Sequence, residues 1–246
     1  MKFNTSISKI VPGDHIIRGQ ALSALIAESS FAESIYLLLK GGKPSATQAV
    51  IFQAALVSVI DHGMGTASSM AARFVASGGN SVNASVAAGV IALGDYHGGA
   101  IEKAMKQFAG IVSAKEFVAK ALQEKTTMYG FGHKIYKDAD PRVGQLLQVC
   151  ARESFTSPFI DLALAVETEI ASQKGKKIPL NIDGLIAGIL LELGFTPKQG
   201  KGFFIIARTP GLVAQVLEEL QTEEPVRRID EEEITYTGSL PNRSNT

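Results

Sequence analysis

The sequence predicts an all-α protein made of a series of short helices. Three observations support this fold class. Apolar residues recur at a spacing near 3.6 along most of the chain, and glycine- and proline-rich turns separate the periodic segments. Strand-like patterns are confined to the first residues of the chain and to residues 233–236. We expect about ten helices and find no repeat of fixed period.

The elements follow one another with short connections. An extended lead over residues 5–17 precedes residues 20–40, whose apolar pattern fits two short helices or one interrupted helix. After the Gly-Gly-Lys-Pro turn, Ser45 has the side chain of a helix N-cap. The remaining segments with helical spacing are residues 46–60, 66–76, 82–93, 101–108, 115–125, 142–153, 161–173, 183–193 and 202–220. Residues 82–93 are so rich in alanine that their backbone must pack closely against neighbouring helices.

Breaks in the pattern divide the chain into three regions. We expect residues 1–126 to form the first part of a large helical domain. Residues 127–226 are expected to form a smaller lobe together with the helices of the functional site. The polar residues 227–246 are expected to form a tail that returns to the large domain or reaches a neighbouring subunit.

Composition excludes several classes of protein. The 246 residues carry 24 lysines and arginines against 24 aspartates and glutamates, so no net charge marks the chain as a nucleic-acid or anionic-membrane binder. The one cysteine, Cys150, excludes an intrachain disulfide and a cysteine-cluster zinc site. The first residues lack the apolar region of a secretory signal, and the most apolar stretches are too short to span a bilayer. We therefore expect a soluble, cytoplasmic protein.

Three of the four histidines, His62, His97 and His133, stand next to glycine at predicted helix edges. Glycine lets the backbone approach a ligand there, and the imidazole need not be buried in a helix face. One such histidine would most simply be structural, whereas three in the same setting favour a functional role. Their spacing does not match a helical zinc motif.

A second cluster of candidate residues runs from Gly130 to Lys137 and continues to Arg142. The glycines on either side of Phe131 would free backbone N–H groups for a ligand, and the lysines suit phosphate. Arg142 follows a proline at a predicted helix start, and its guanidinium can bind a carboxylate through two hydrogen bonds. The alternative is a loop with solvated lysines. The residue order does not match a phosphate-binding P-loop.

Two charged residues stand in apolar surroundings. Asp183 precedes a run of leucines and isoleucines, where it could be the N-cap of a helix. Such surroundings would also raise its pKa and make it a candidate base, and the two roles are compatible. Arg208 lies within a similarly apolar segment, which implies a buried anion near its guanidinium.

Taken together, these segments resemble the ordered signature blocks of the citrate synthase superfamily. The blocks are Asp61-His62-Gly63, His97-Gly98-Gly99-Ala100, residues 130–137 with Asp140-Pro141-Arg142, Asn181-Ile182-Asp183-Gly184, and Ala207-Arg208-Thr209. They run in order over nearly the whole chain. The chain is shorter than ordinary citrate synthases and carries Gly63 where those enzymes usually carry glutamate. In both respects it is similar to the citryl-CoA lyase branch and to the lyase module of ATP-citrate lyase, although His97 keeps the synthase identity.

The resemblance implies a citrate synthase-like multi-helix fold and a reaction. It implies that citryl-CoA is cleaved to acetyl-CoA and oxaloacetate by acid–base catalysis, with Asp183 as the base and His97 and His133 as its partners at the two reacting oxygens. Carboxylate-binding roles fall by resemblance on His62, Arg142, Arg208 and, from a neighbouring subunit, Arg228. Coenzyme A is expected along Met128, Gly130, Phe131 and Gly132, with its phosphates near Lys137 and also near Lys176 and Lys177.

The resemblance implies neither a metal nor a redox cofactor, since the coenzyme A thioester is itself the substrate. It also implies a homodimer or higher homo-oligomer, a possible ligase subunit as partner, and no nucleic acid or membrane partner. Two other functions stay open from the sequence. One is a short citrate synthase, or a relative that condenses another acyl-CoA with a 2-oxo acid, and the other is a non-catalytic subunit that binds coenzyme A.

Overall fold

The computed structural model describes residues 2–240, which form eleven α-helices and one small sheet. Strands β1 (Ser8–Val11), β2 (Asp14–Ile17) and β3 (Gln20–Ala21) form an antiparallel sheet in that order. The helices are α1 (Leu22–Glu28), α2 (Phe31–Lys40), α3 (Ala46–Ser58), α4 (Ala67–Ser77), α5 (Val82–Ile91), α6 (Ala100–Phe108), α7 (Ala114–Glu124), α8 (Pro141–Arg152), α9 (Pro158–Lys174), α10 (Ile182–Glu192) and α11 (Pro197–Thr222).

The predicted helical class is confirmed, and the extended lead is the sheet. The prediction of strand structure at residues 233–236 is wrong, because the described tail has only a 3₁₀ turn, Glu231–Glu233. Those residues have no neighbouring strand to pair with, so β propensity alone does not produce a strand there. The prediction at Ser45 is confirmed, since its side chain accepts a hydrogen bond from the Gln48 amide in a capping box.

Helix α10 lies at the centre of the fold, packed against α6 and α9. Eight of its eleven residues are buried, so the helix is apolar on nearly every side. A buried aromatic group of Tyr36, Phe52, Phe195 and Phe203 extends the same core toward α2, α3 and α11. This continuous core fixes the N-terminal end of α10, which carries Asp183.

Helices α4, α5 and α11 pack closely beside this core. At Gly89 of α5, an added Cβ would lie 3.0 Å from the Ser68 carbonyl oxygen of α4 and 3.1 Å from the Ala72 side chain. The tight packing predicted for the alanine-rich segment is therefore present. It places Ser68 next to the segment that carries His97.

Candidate active site

The three histidines predicted to be functional line one cavity of about 150 Å³, together with Asp183. Their segments are far apart in the chain. His62 follows α3, His97 precedes α6, His133 precedes α8, and Asp183 lies in the first turn of α10. Arg142 and Arg208 line the same cavity. The full lining is Val59, His62, Tyr96, His97, Gly98, Ala100, His133, Arg142, Asn181, Ile182, Asp183, Phe204 and Arg208.

Asp183 is not the N-cap of α10, contrary to one role that its position suggested. The cap is Asn181, whose side-chain oxygen accepts a hydrogen bond of 3.1 Å from the Gly184 amide. Asn181 also donates from Nδ2 to the Gly132 carbonyl oxygen at 2.7 Å. Because Asn181 caps the helix, the Asp183 carboxylate lines the cavity instead.

Burial raises the pKa of Asp183 to about 6, and the cations of Arg142 and Arg208 oppose this shift. The predicted effect of apolar surroundings is therefore present. A carboxyl group that titrates near pH 6 can both give and take a proton in the neutral range.

The segment around Phe131 is held against α10 by its backbone. Phe131 and Leu180 form an isolated antiparallel bridge, the Asn181 amide donates to the Gly130 carbonyl oxygen at 2.9 Å, and the Gly132 amide donates to the Pro179 carbonyl oxygen at 2.7 Å. The expectation that both glycines leave N–H groups for a ligand is wrong for Gly132, whose N–H has a carbonyl partner.

Glycine is required at this contact for another reason. At Gly130, where φ is +90°, an added Cβ would lie 2.6 Å from the Gly184 Cα, and at Gly184 it would lie 2.5 Å from the Gly130 carbonyl oxygen. Two backbones approach more closely here than any side chain permits. The close approach brings His133 and Asp183 to one cavity.

His133 is oriented by its own loop. Its Nδ1 accepts hydrogen bonds from the amides of Ile135 and Tyr136, at 3.1 and 3.2 Å. Nδ1 must be unprotonated to accept them, so in the neutral ring the proton is on Nε2. The ring stacks on Tyr136 with 4.7 Å between centroids and meets the His62 ring edge-on at 5.6 Å.

Within residues 2–240, His97 has one side-chain hydrogen-bond partner, the buried Ser68, whose Oγ lies 2.8 Å from Nε2. When Ser68 donates this bond, the ring proton is on Nδ1 and becomes the donor available to a ligand. Sequence reasoning did not select Ser68, because its distance of 29 residues from His97 leaves no local signal.

Burial lowers the pKa of His62, His97 and His133, and the nearby arginines lower it further. Arg142 contributes most among the charges at His62 and His133, and Arg208 contributes most at His97. The three imidazoles are therefore neutral hydrogen-bonding groups at neutral pH rather than cations.

The two arginines of the cavity are held differently. The Arg208 side chain is buried, donates from Nε to the Val59 carbonyl oxygen at 3.0 Å, and stacks on Phe204. Its Nη1 has no partner in residues 2–240. The predicted nearby anions are Asp61 and Asp183, which raise the Arg208 pKa against the stronger effect of burial. Arg142 instead forms a two-bond ion pair with Asp140.

The remaining predicted residues lie away from this lining. Lys137, Lys176, Lys177 and Arg228 are exposed, and none of them lines the cavity. The Lys137 ammonium donates to the His133 carbonyl oxygen at 3.1 Å. Met128 packs on the small apolar cluster of α7 and α9. Their proposed roles toward coenzyme A or a second subunit stay predictions.

Neither a membrane helix nor a metal cluster is present in the part of the chain that the structure describes. None of the helices there is long and apolar enough to cross a bilayer. Over the same residues, no three His, Cys, Asp or Glu side chains are grouped so that they could hold a metal ion.

Most of the chain matches a known protein family. The family model for the citrate synthase C-terminal domain matches residues 27–229. The chain belongs to the citrate synthase family. The resemblance of its sequence blocks to that family is thereby confirmed.

Relatives within the citrate synthase family differ in length from this chain. Citrate synthase 2 of Bacillus subtilis is 30% identical over 84% of this chain and 56% of its own length. The glyoxysomal citrate synthase of Cucurbita maxima is also 30% identical, over 85% of this chain and 43% of its own length. The chain thus spans about half the length of these curated relatives.

A solved structure of similar size is that of citryl-CoA lyase from Hydrogenobacter thermophilus. It is 47% identical, with a TM-score of 0.92, over 97% of this chain and 96% of that one. The structure of ATP citrate lyase from Methanothrix soehngenii is 24% identical, with a TM-score of 0.83. The match covers all of this chain and 43% of the length of that one. At that identity the second match shows the shared fold alone.

Proposed function

We propose that this member of the citrate synthase family is a citryl-CoA lyase, which cleaves citryl-CoA to acetyl-CoA and oxaloacetate. The observation that carries the proposal is the similarity to the lyase of Hydrogenobacter thermophilus, which extends over nearly the whole of both chains. The chemistry of the cavity supports it, since an acid with a pKa of about 6 lies with two neutral imidazoles around one small space.

In the proposed cleavage, the substrate gives up one proton and receives one proton, at different atoms. The carbon–carbon bond between the acetyl methylene and the hydroxyl-bearing carbon breaks, the hydroxyl oxygen loses its proton and becomes the oxaloacetate carbonyl, and the acetyl enol gains a proton at carbon. Negative charge develops on the hydroxyl oxygen and then on the thioester oxygen. Cleavage therefore needs a group that takes the hydroxyl proton, a donor at the thioester oxygen and an acid at the carbon.

Asp183 supplies the proton at carbon in this proposal. In the reverse condensation the same carboxylate takes a proton from the methyl group of acetyl-CoA. A raised pKa suits both directions, because at pH 7 about a tenth of the groups are still in the acid form and the rest are the conjugate base. An ordinary aspartate would be almost wholly ionised at that pH.

His97 and His133 serve the two oxygens. His133 acts at the hydroxyl or carbonyl oxygen through Nε2, since its Nδ1 is held by two amides. With the proton on Nε2 it donates to the oxaloacetate carbonyl oxygen in condensation, and in cleavage the ring must begin with Nε2 unprotonated so that it can take the hydroxyl proton. His97, oriented by Ser68, donates to the thioester oxygen of the enol. Neutral imidazoles with fixed orientation need little rearrangement as charge develops.

The carboxylates of oxaloacetate or citryl-CoA are held by His62, Arg142 and Arg208 in this proposal. Arg208 presents Nη1, which has no partner among the described residues, beside the cavity. A buried N–H group without a hydrogen-bond acceptor is costly, and a substrate carboxylate would supply the acceptor for Nη1.

Coenzyme A is proposed to lie along Met128, Gly130, Phe131 and Gly132. Lys137, Lys176 and Lys177, which are exposed, are proposed to meet its phosphates. Arg228 is proposed to reach the site of a second copy of the chain, so that the active species is a homodimer or higher oligomer. The reaction as proposed uses the thioester as substrate and no separate cofactor, and it takes place in the cytoplasm.

The test is direct turnover of citryl-CoA by the purified protein. Release of oxaloacetate is followed by coupling to malate dehydrogenase, beside Asp183→Asn and the matched exposed variant Asp138→Asn. We expect oxaloacetate from the wild-type protein and from Asp138→Asn, and almost none from Asp183→Asn. Failure of the wild-type protein to release oxaloacetate would refute the lyase proposal.

A short citrate synthase is the second candidate, favoured by the 30% identity to Citrate synthase 2 of Bacillus subtilis. It predicts formation of citrate and free coenzyme A from acetyl-CoA and oxaloacetate, with no oxaloacetate released from citryl-CoA. A protein that binds coenzyme A thioesters without turnover in either assay would instead be the non-catalytic subunit.

A further inference from the structure

Asp140 is a buried carboxylate that joins two helix starts of the candidate active site. It is the N-cap of α8, where Oδ1 accepts the Arg142 amide at 3.1 Å. Its side chain is fully buried, whereas a helix cap alone needs no such burial. Sequence reasoning included Asp140 in a signature block but gave it no function.

The same carboxylate holds the Arg142 side chain. Arg142 Nε donates to Oδ1 at 2.9 Å and Nη2 donates to Oδ2 at 2.7 Å, so one edge of the guanidinium is fixed by two parallel bonds. The guanidinium also lies 5.8 Å from the centre of the Tyr136 ring. Arg142 lines the cavity, and its Nη1 edge is not used by Asp140.

A fourth bond connects Asp140 to α10. The Ile182 amide donates to Oδ2 at 3.0 Å, and Ile182 is the first residue of that helix. The next residue is Asp183. One carboxylate oxygen therefore contacts both the arginine of the cavity and the backbone that carries the proposed base.

We propose that Asp140 is a positioning residue of this active site. It holds Arg142 so that the Nη1 edge faces a substrate carboxylate, and it fixes the first turn of α10 so that Asp183 faces the reacting carbon. The inference rests on the proposed acyl-CoA chemistry and deepens it, since it says what orders the carboxylate-binding arginine and the base relative to one another.

The charge of Asp140 acts on Asp183 as well. Burial is the main cause of the raised Asp183 pKa, the Asp140 carboxylate adds to the increase, and Arg142 and Arg208 oppose it. The other titratable groups that line the cavity with Asp183, besides the two arginines, are His62, Tyr96, His97 and His133. Loss of the Asp140 charge removes one cause of the increase and leaves Arg142 without its counter-ion. Both changes lower the Asp183 pKa.

The test uses Asp140→Ser, because serine is also a good N-cap and keeps the end of α8 closed. Glu167→Gln is the matched control. Glu167 accepts the Leu180 amide at 3.0 Å, two residues before Ile182, and neither contacts Arg142 nor lines the cavity. A third variant, Arg142→Ala, is made alone and together with Asp140→Ser to form a double-mutant cycle.

We expect Asp140→Ser to raise the KM of the carboxylate substrate about 10- to 100-fold, the usual effect of losing hydrogen bonds to a charged group. In the Arg142→Ala background the same change should raise that KM less than about threefold, because the group it acts through is gone. In the Asp140→Ser single variant, the acid limb of the condensation pH–rate profile, where the rate falls with decreasing pH, should move to lower pH. Glu167→Gln should leave both the KM and the limb unchanged.

Three results would overturn the inference. A carboxylate KM within about twofold of wild type in a folded Asp140→Ser protein, with an unmoved pH limb, would make Asp140 a helix cap only. Equal effects in the wild-type and Arg142→Ala backgrounds would show that it does not act through Arg142. Effects of the same size in Glu167→Gln would show a general loosening of the segment.

These outcomes are distinct from failure of the proposed function, which is judged on the wild-type protein. If the wild-type protein turns over neither citryl-CoA nor acetyl-CoA with oxaloacetate, the same cycle is measured on oxaloacetate binding by calorimetry. The KM criteria then apply to Kd.

Discussion

Asn181 caps the helix that carries Asp183, and the two side chains have different roles. Asn181 is bonded to the Gly184 amide and to the Gly132 carbonyl oxygen, while the Asp183 carboxylate lines a cavity with three histidines and two arginines. Aspartate and asparagine are equally good N-caps, so the local sequence does not say which one performs the role. The structure assigns the cap to the amide and leaves the titratable group in the cavity.

Asp183→Asn should lower turnover about 10²- to 10⁴-fold with little change in substrate affinity, because an amide cannot carry the transferred proton. The measurement is kcat and KM in both reaction directions, beside Asp138→Asn. A kcat within about threefold of wild type would exclude Asp183 from proton transfer.

The two reaction directions should have opposite pH dependences. Condensation needs the Asp183 carboxylate, so its kcat/KM should fall as the pH decreases through about 6, while cleavage needs the carboxylic acid and should fall as the pH increases through about 6. The residual activity of Asp183→Asn should show no change through pH 6 in either direction, because the titrating group is gone. A limb centred near 3.8, the ordinary pKa of aspartate, would contradict the assignment.

The same pKa shift predicts a change in stability with pH. Because the folded protein holds the proton of Asp183 more tightly than the unfolded chain does, stability decreases as the pH rises from about 4 to about 6 and is then constant. Asp183→Asn lacks this cost and should be about 2 kcal/mol more stable than wild type at pH 8, with no such difference at pH 4. Urea unfolding at the two pH values measures it, and equal differences at both would contradict a raised folded-state pKa.

Local elements of the fold could be predicted from the sequence because their signals are local. The helical spacing and the Ser45 cap depend on residues within one or two turns of each other. The strand-like pattern at residues 233–236 failed because a strand needs a partner that the pattern does not contain. The same limit applies to the cavity, whose histidines were selected one by one while their contact depends on the packing of α10.

Ser68→Ala should lower kcat about fivefold and leave the KM of the dicarboxylate nearly unchanged. The serine hydroxyl orients His97, and one hydrogen bond of this kind is worth about 1 kcal/mol. Ser69→Ala is the matched control, since Ser69 is equally buried on the same helix and bonds Thr66 instead. Equal losses in the two variants would point to disturbed packing of α4 rather than to a role in orienting His97.

Residues such as Ser68 and Asp140 show what sequence reasoning missed. Ser68 belongs to none of the sequence blocks, and Asp140 belongs to one of them but was given no function. Ser68 lies 29 positions from His97, and Asp140 lies 42 positions from the Ile182 amide. Only the folded chain brings these pairs within hydrogen-bond distance.

Gly130→Ala should destabilise the protein by about 2–4 kcal/mol and reduce activity, because its Cβ would overlap Gly184 at a positive φ. Gly144→Ala is the control, since it lies inside α8 with nothing within 4 Å of an added Cβ and should be stabilised by about 0.5–1 kcal/mol. Urea unfolding compares the two. A Gly130→Ala protein as stable as wild type would show that the two segments can move apart without cost.

Buried ion pairs centred on Glu219 of α11 connect this helix to α4 and to the tail. Glu219 is almost fully buried, accepts Arg73 Nε at 2.7 Å from α4, and accepts two bonds from Arg227 in the tail. The bonds from Arg227, then those from Arg73, hold the Glu219 pKa below its ordinary value despite burial. Its contribution to stability is therefore present above pH 4.5 and is lost as the pH falls through the lowered pKa.

Glu219→Gln should cost about 3–5 kcal/mol at pH 7, because it leaves the buried Arg73 guanidinium without its buried counter-ion. Glu218→Gln removes a charge from the same arginine at a side chain that is 62% exposed, so it should cost less than about 1 kcal/mol. Urea unfolding from pH 7 to pH 3 should show the cost of Glu219→Gln shrinking toward the acid end, where the wild-type carboxylate is protonated too. Equal costs for the two variants at pH 7 would mean that Arg73 is satisfied by Gln215 and solvent rather than by Glu219.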